Sequence, residues 1–290
     1  MIKTKLTELI GNTPIIKYEG VYIKLEGFNL GGSIKDRIAL NMINTYEENG
    51  DIKPGDTLII PTSGNTGIGF CLVGVIKGYK IIIVMPENMS VERINMMRAY
   101  GAQVILTKAS GGMSEAVSHA LSISKDKNYF YVNQFDDINN PLSYKGCAQE
   151  IIHEFTKIDY LVMGIGTGGS ISGLAQELKK VYPCLKVIGV EPQESAIITT
   201  GKKGPHGIQG IGAGFIPKNL NMNVIDRVVT VSTEDSINEF NKLRKKGFFV
   251  GISTGCNIVA SNRIFSQDKS KIVLTVSPDF GAKYLSMIKE

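Results

Sequence analysis

The chain predicts an α/β fold built on largely parallel sheets, and three features of the sequence support this. Short apolar runs alternate with amphipathic helical segments along its whole length, the pattern of strands joined through covering helices. Three of these runs end in loops rich in glycine and hydroxyl residues, which puts small positions at strand ends. A length of 290 residues also suffices for one two-lobed unit or two domains with a sizeable core.

Taken in order, strand-like runs lie at 21–26, 57–61, 80–85, 103–107, 129–133, 160–163, 185–190, 228–231 and 271–276. Helical periodicity fills most of the gaps, at 36–48, 90–100, 112–125, 141–155 and 233–246. No repeat or low-complexity linker interrupts them. One long irregular stretch, 193–223, is rich in glycine and proline and contains the run Gly210-Ile211-Gly212-Ala213-Gly214. Structureless stretches of that length inside compact domains are usually functional or disordered, and this composition favours an ordered loop near a site.

Composition removes several classes of function. Hydrophobic residues at 43% and charged residues at 20% describe an ordinary globular chain. The net charge of +5 is too mild and too dispersed for a nucleic-acid footprint, so Lys179-Lys180, Lys202-Lys203 and Lys245-Lys246 read as solvated faces. The four cysteines (Cys71, Cys147, Cys184, Cys256) show no metal-ligand spacing, and Cys71 and Cys147 fall in helical patterns as small core residues. With three histidines, neither a zinc site nor a histidine triad is expected, and no metal is predicted. Because no signal core and no membrane-length apolar run is visible, the expectation is a cytoplasmic protein that neither spans a membrane nor binds nucleic acid.

The most chemically suggestive residue is Lys35, in Gly31-Gly32-Ser33-Ile34-Lys35-Asp36-Arg37. A glycine turn admits close approach, and the positive end of a helix disfavours the ammonium relative to the nucleophilic amine. The competing reading is a solvated lysine in a first helical turn. Thr62-Ser63-Gly64-Asn65-Thr66-Gly67 offers hydroxyls, an amide and free N–H groups at a helix start, either as an anion cradle or as a cap. Gly164-Ile165-Gly166-Thr167-Gly168-Gly169-Ser170 follows a strand and opens a helix, an arrangement that binds phosphate. Glu191 lies about 22 residues further on, where a dinucleotide-binding protein places its ribose acid, so one phosphate or a dinucleotide fits at this point. In Gly251-Ile252-Ser253-Thr254-Gly255, Ser253 is either a helix N-cap or a side-chain partner for a ring nitrogen.

In this order, the motifs closely resemble the cysteine synthase and cystathionine β-synthase family. These are pyridoxal-phosphate enzymes with the two-lobed fold of the tryptophan synthase β type. Further matching segments are Ile10-Gly11-Asn12-Thr13-Pro14, Lys24-Leu25-Glu26-Gly27-Phe28-Asn29, Met85-Pro86-Glu87 with Met89-Ser90-Val91-Glu92-Arg93, Asn133-Gln134-Phe135-Asp136, Gly189-Val190-Glu191-Pro192 and Gly210 to Pro217. The likeness covers nearly the whole chain. It implies a larger lobe from residues 1–36 and 135–290, and a smaller mobile lobe from 37–134. It displaces the dinucleotide reading and leaves Glu191 as an ordinary strand-end acid.

By that resemblance, Lys35 would carry pyridoxal 5′-phosphate as a Schiff base and serve as the acid–base group at Cα. Asn65 would bond the cofactor's 3′-oxygen, and Gly166, Thr167, Gly168, Gly169 and Ser170 would hold its phosphate. Ser253 would face the pyridine nitrogen. Thr62, Ser63, Gly64, Thr66 and Gln134 would bind the substrate carboxylate. The implied activity is β-replacement through an aminoacrylate, making L-cysteine from O-acetyl-L-serine and sulfide. Its alternative runs the same chemistry on cysteine or serine, giving hydrogen sulfide with lanthionine, serine or cystathionine. A homodimer and a serine acetyltransferase tail are the implied partners. Leu30, Gly207 and Phe280 depart from the family pattern, as do the short segment between Pro14 and Val21 and the early end after Tyr284-Leu285-Ser286. These leave the leaving group and nucleophile open. No added regulatory or haem-binding region is expected.

Overall fold

The computed structural model describes residues 2–62 and 64–288. Among the described residues, ten strands form two sheets. The larger contains β1 (Ile15–Tyr18), β2 (Val21–Leu25), β7 (Tyr160–Gly164), β8 (Lys186–Pro192), β9 (Arg227–Val231) and β10 (Val273–Ser277), in the order β1-β2-β10-β7-β8-β9. Only β1 runs antiparallel to its neighbour. The smaller sheet is entirely parallel, with β3 (Thr57–Pro61), β4 (Lys80–Pro86), β5 (Gln103–Thr107) and β6 (Phe130–Tyr131) in the order β5-β4-β3-β6. The helices are α1 (Lys35–Glu48), α2 (Asn65–Lys77), α3 (Val91–Ala99), α4 (Gly112–Lys127), α5 (Asn139–Leu142), α6 (Lys145–Glu154), α7 (Gly169–Val181), α8 (Ile197–Thr200), α9 (Thr233–Lys245) and α10 (Ile252–Phe265). None is long and apolar enough to cross a membrane.

The central strands form because runs of branched apolar residues find cover on both faces. Leu58, Ile59 and Ile60 of β3 are fully buried, as are Leu161 and Val162 of β7. One large core joins the two sheets through α1, α2, α6 and α7, while α9 and α10 cover the opposite face of the larger sheet. Ala116 and Ala120 of α4 close the remaining face of the smaller sheet. The helix ends follow local chemistry. Ser232 caps α9 through the Asp235 N–H at 3.0 Å, and Gly78, at φ +81°, stops α2.

Topology sets the position of the site. In the larger sheet the chain runs outward from β7 to β9 and then returns across β7 to insert β10. In the smaller sheet it runs from β3 out to β5 and returns to place β6 on the other side of β3. Each sheet therefore has a switch in strand order, where a crevice opens beyond the carboxyl ends. The loops after β3, β6, β7 and β10 all emerge there. Gly69 brings α2 close to the start of α1, since a Cβ on it would stand 2.9 Å from the Lys35 carbonyl oxygen. The lack of a side chain lets α2 cross the first turn of α1.

Three elements differ from expectation. β1 is an additional edge strand. The expected strand 129–133 pairs only over Phe130–Tyr131. The expected helix 141–155 is two helices, because Tyr144 leaves helical dihedrals (φ −96°, ψ 0°) and drives its ring into the core. Cys71 and Cys147 are buried on helices, as their patterns indicate, and all four cysteines are unpaired.

Candidate active site

Lys35 is the first residue of α1, held by a turn whose backbone is fixed on both sides. Gly32 has φ +77°, and the Gly31 N–H donates to the buried Asp36 carboxylate at 2.6 Å. A Cβ on Gly31 would lie 2.8 Å from that carboxylate, so the turn has no room for a side chain there. The Ile34 N–H donates to the Pro278 carbonyl at 2.9 Å and ties the turn to the end of β10. Burial lowers the Lys35 ammonium to about 8, against the opposing charge of Asp279. A solvated surface lysine would show no such shift. Burial likewise pushes the Asp36 carboxyl up to about 6, although the Lys283 charge and backbone bonds oppose it.

Lys35 lines a cavity of about 280 Å³ at the crossing of the two strand switches. The glycine loop after β7 forms one wall, with Gly166, Thr167 and Ser170 reaching the cavity. A Cβ would meet the Gly210 carbonyl at 2.4 Å if added to Gly166, Leu220 at 2.7 Å on Gly168, and Asn140 at 2.0 Å on Gly169. Gly168 also has φ +80°, so the loop tolerates only glycine at several points. The first-turn amides of α7 have no intrahelical acceptors and open toward an anion.

Thr62, Gly64, Asn65, Thr66 and Gln134 form the wall contributed by the smaller sheet. Ser63 lies outside the described residues. The Gln134 side chain donates to the Pro61 carbonyl at 2.9 Å, joining the ends of β3 and β6. Ser253 is buried on the opposite wall in the first turn of α10, while Gly251 occupies the capping position. The N-cap reading of Ser253 therefore fails.

Asn65 is engaged on both sides of its amide. Its Nδ2 donates to Asp279 at 2.7 Å, and its Oδ1 accepts from Lys283 at 3.1 Å. Tyr284 donates to the same Asp279 oxygen at 2.8 Å, and Arg93 stands over the Tyr284 ring and donates to Gln209 at 2.5 Å. Arg93, Gln209, His206, Asn257 and Tyr284 line the cavity but are not identified as site residues from sequence. For the groups after β10 a signal exists: Asp279 follows a buried strand at its carboxyl end, where parallel sheets carry function.

Two other groups of side chains are already engaged. Glu191 is fully occupied, accepting from the N–H groups of Ile198 and Thr199 at 2.9 Å each and from the Thr199 hydroxyl at 2.6 Å. It caps α8 and is not free for a ribose. Glu26, Cys147 and Glu150 bring metal-type atoms within 4.8 Å of one another. Arg37 and Lys24 already neutralise both carboxylates, so a metal ion there would face two cations. The departures at positions 207 and 280 do not reach the cavity. Gly207 packs on Thr233, and the Phe280 ring stands edge-on to Phe28 at 5.1 Å.

A half-buried amine of lowered pKa, a glycine-only loop at a helix start and a serine hydroxyl on the cavity wall fit pyridoxal phosphate. The chain belongs to the pyridoxal-phosphate dependent enzymes, whose family model matches residues 6–279. Within that class, a cysteine synthase of Staphylococcus aureus is 42% identical over 294 residues, covering 97% of this chain and 95% of its own length. The structure of a hydrogen sulfide-producing enzyme from Fusobacterium nucleatum is 39% identical with a TM-score of 0.94, covering 98% of this chain and 100% of that one. An O-acetylserine-dependent cystathionine β-synthase from Helicobacter pylori is 38% identical with a TM-score of 0.94, covering 99% and 98%.

Proposed function

We propose that this enzyme forms L-cysteine and acetate from O-acetyl-L-serine and sulfide. The observation that carries the reading is the meeting of Lys35, the glycine loop after β7 and the start of α2 at Asn65 around one cavity, in a chain similar along its length to a cysteine synthase. Pyridoxal phosphate, when bound, supplies the electron sink that stabilises charge at the substrate Cα. Gly166, Thr167, Gly168, Gly169 and Ser170 hold its phosphate, and Asn65 donates to its 3′-oxygen. The Ser253 hydroxyl faces the ring nitrogen and, being neutral, does not force a proton onto it as a carboxylate would. Thr62, Ser63, Gly64, Thr66 and Gln134 hold the substrate carboxylate. Lys35, whose ammonium is lowered by burial to about 8, takes the proton from Cα and returns it there after sulfide has replaced acetate at Cβ.

Residues 37–134 act as the smaller, mobile lobe, closing on the larger lobe of 1–36 and 135–290 to exclude water. The chain works in the cytoplasm as a homodimer and accepts a serine acetyltransferase C-terminal tail as partner. The likeness to the hydrogen sulfide-producing enzyme supports a second reading, in which cysteine is the first substrate and sulfide the leaving group. Steady-state kinetics on O-acetylserine, cysteine and serine, each with sulfide and thiol acceptors, separate the two. A kcat/KM for O-acetylserine at least tenfold above that for cysteine is expected, and the reverse ratio overturns the leading reading.

A further inference from the structure

Asn65 opens α2 on the cavity wall, and both ends of its amide are held by groups that the family resemblance leaves without a role. Lys283, an ammonium with donors only, meets Oδ1 at 3.1 Å. Asp279, a carboxylate that accepts, meets Nδ2 at 2.7 Å. The two ends of an amide have the same shape, so shape alone does not select which faces which way. The partners select it. With the amide reversed, oxygen would face a carboxylate and nitrogen an ammonium, and both contacts would be repulsive. Nδ2 carries two hydrogens and Asp279 uses one, which leaves the second free to donate, and Asn65 lines the cavity. A cofactor 3′-oxygen is an acceptor and requires that donor.

We infer that Asp279 and Lys283 are positioning residues that fix the orientation of the Asn65 amide, so that an N–H and not a carbonyl oxygen meets the cofactor's 3′-oxygen. This rests on the reading that Asn65 bonds that oxygen. The pair is itself held in place. Lys283 also donates to the carbonyls of Gly31 and Gly32 at 3.1 and 3.0 Å, joining the amide to the turn that carries Lys35. The Tyr284 hydroxyl fixes Asp279 from the other side. The other charged groups around it are Arg93, with NH2 3.8 Å from Asp279, Asp36 behind Gly31, and Lys35.

The sign of a shift tests the inference. The pH midpoint of the visible absorption band is measured in the substrate-free holoenzyme and in Asp279→Asn, Lys283→Met and Asn65→Ala. Acting only as charges, Asp279 and Lys283 would move the midpoint in opposite directions when neutralised. Acting through the amide, both variants move it in the direction set by Asn65→Ala, by about one pH unit, a tenfold change in proton affinity. Lys283→Arg, which keeps charge and donors, restores the wild-type midpoint. Opposite signs, or no shift beside a shifted Asn65→Ala, overturn the inference. An unshifted Asn65→Ala overturns instead the reading of Asn65 beneath it. If neither variant folds, neutron diffraction on the wild-type holoenzyme decides: Nδ2 toward Asp279 is expected, and Oδ1 there defeats the inference.

Discussion

Among the described residues, two buried clusters of charge are satisfied to very different degrees. In the first, every nitrogen of Arg37 is used: Nε and NH2 meet Glu26 at 2.6 and 2.8 Å, while NH1 and NH2 meet Glu150 at 2.8 Å each. Lys24 adds contacts to Glu150 and the Thr13 carbonyl at 2.6 Å, and the Thr13 hydroxyl and Asn29 complete Glu26. In the second, beside the cavity, Asp279 Oδ1 and Arg93 Nε and NH2 have no hydrogen-bond partner among the described residues. Buried polar groups are normally paired, and an unpaired one calls for an explanation such as strain or a ligand. The saturated cluster therefore belongs to folding and the unsaturated one to the site. Each should fail in its own way when broken.

The largest effect is expected on the site side. Lys35→Ala removes the proton carrier, and kcat should fall by roughly 10³-fold or more, toward the upper end of what acid–base catalysis contributes. The visible band of the loaded enzyme should vanish while the thermal midpoint stays within a few degrees. A retained band would return Lys35 to the solvated reading. On the structural side, Glu26→Gln leaves Arg37 buried with half its partners. Breaking such a pair costs about 3–5 kcal/mol, measurable by urea unfolding, with activity per folded molecule unchanged. A loss below about 1 kcal/mol would mean the saturated cluster is not what holds this end of α1.

The same contrast shows what the sequence could reveal. Strands at the core were legible because runs such as Leu58-Ile59-Ile60 must be buried, and loops such as Gly164 to Ser170 because no side chain fits there. β1 was not legible: its residues are half exposed on an edge, so Ile15 and Ile16 show neither alternation nor a continuous apolar run. The break at Tyr144 was hidden because Pro141 and the residues after Lys145 each fit a helix locally. The Asp279–Asn65–Lys283 arrangement joins residues 214 and 218 positions apart. No spacing pattern carries a contact of that range; only the topology brings it together.

Titration sharpens the comparison further, because Glu150 in the first cluster and Asp36, behind the turn beside the second, slope in opposite directions. Burial alone would raise the Glu150 carboxyl, but the bonds and charges of Arg37 and Lys24 hold it at about 2, below its ordinary 4.5. Its stabilisation is present above pH 4.5 and lost as pH falls toward 2, in total about 3 kcal/mol at 1.36 kcal/mol per unit. Asp36, raised by burial from 3.8 to about 6, does the reverse. Its contribution is present below pH 3.8 and lost as pH rises through 6, again about 3 kcal/mol. Relative to wild type, Glu150→Gln should flatten the acid branch of stability against pH, and Asp36→Asn the branch between 4 and 6. If both variants altered the same branch, the division into two kinds of cluster would be wrong.

The smallest effect concerns Glu191, a buried carboxylate that stands near the cavity at a strand end yet is saturated. Position alone would assign it to the site, as the glycine-x-glycine pattern before it suggests. Saturation assigns it to the fold, since all three of its bonds go to the start of α8 and Thr199. Glu191→Gln keeps the shape and one acceptor oxygen but removes the charge, so about 1–2 kcal/mol of stability should be lost. The visible band, its pH midpoint and kcat should stay at wild-type values. A changed band with unchanged stability would put Glu191 in contact with the cofactor, and saturation would then no longer separate folding groups from site groups in this chain.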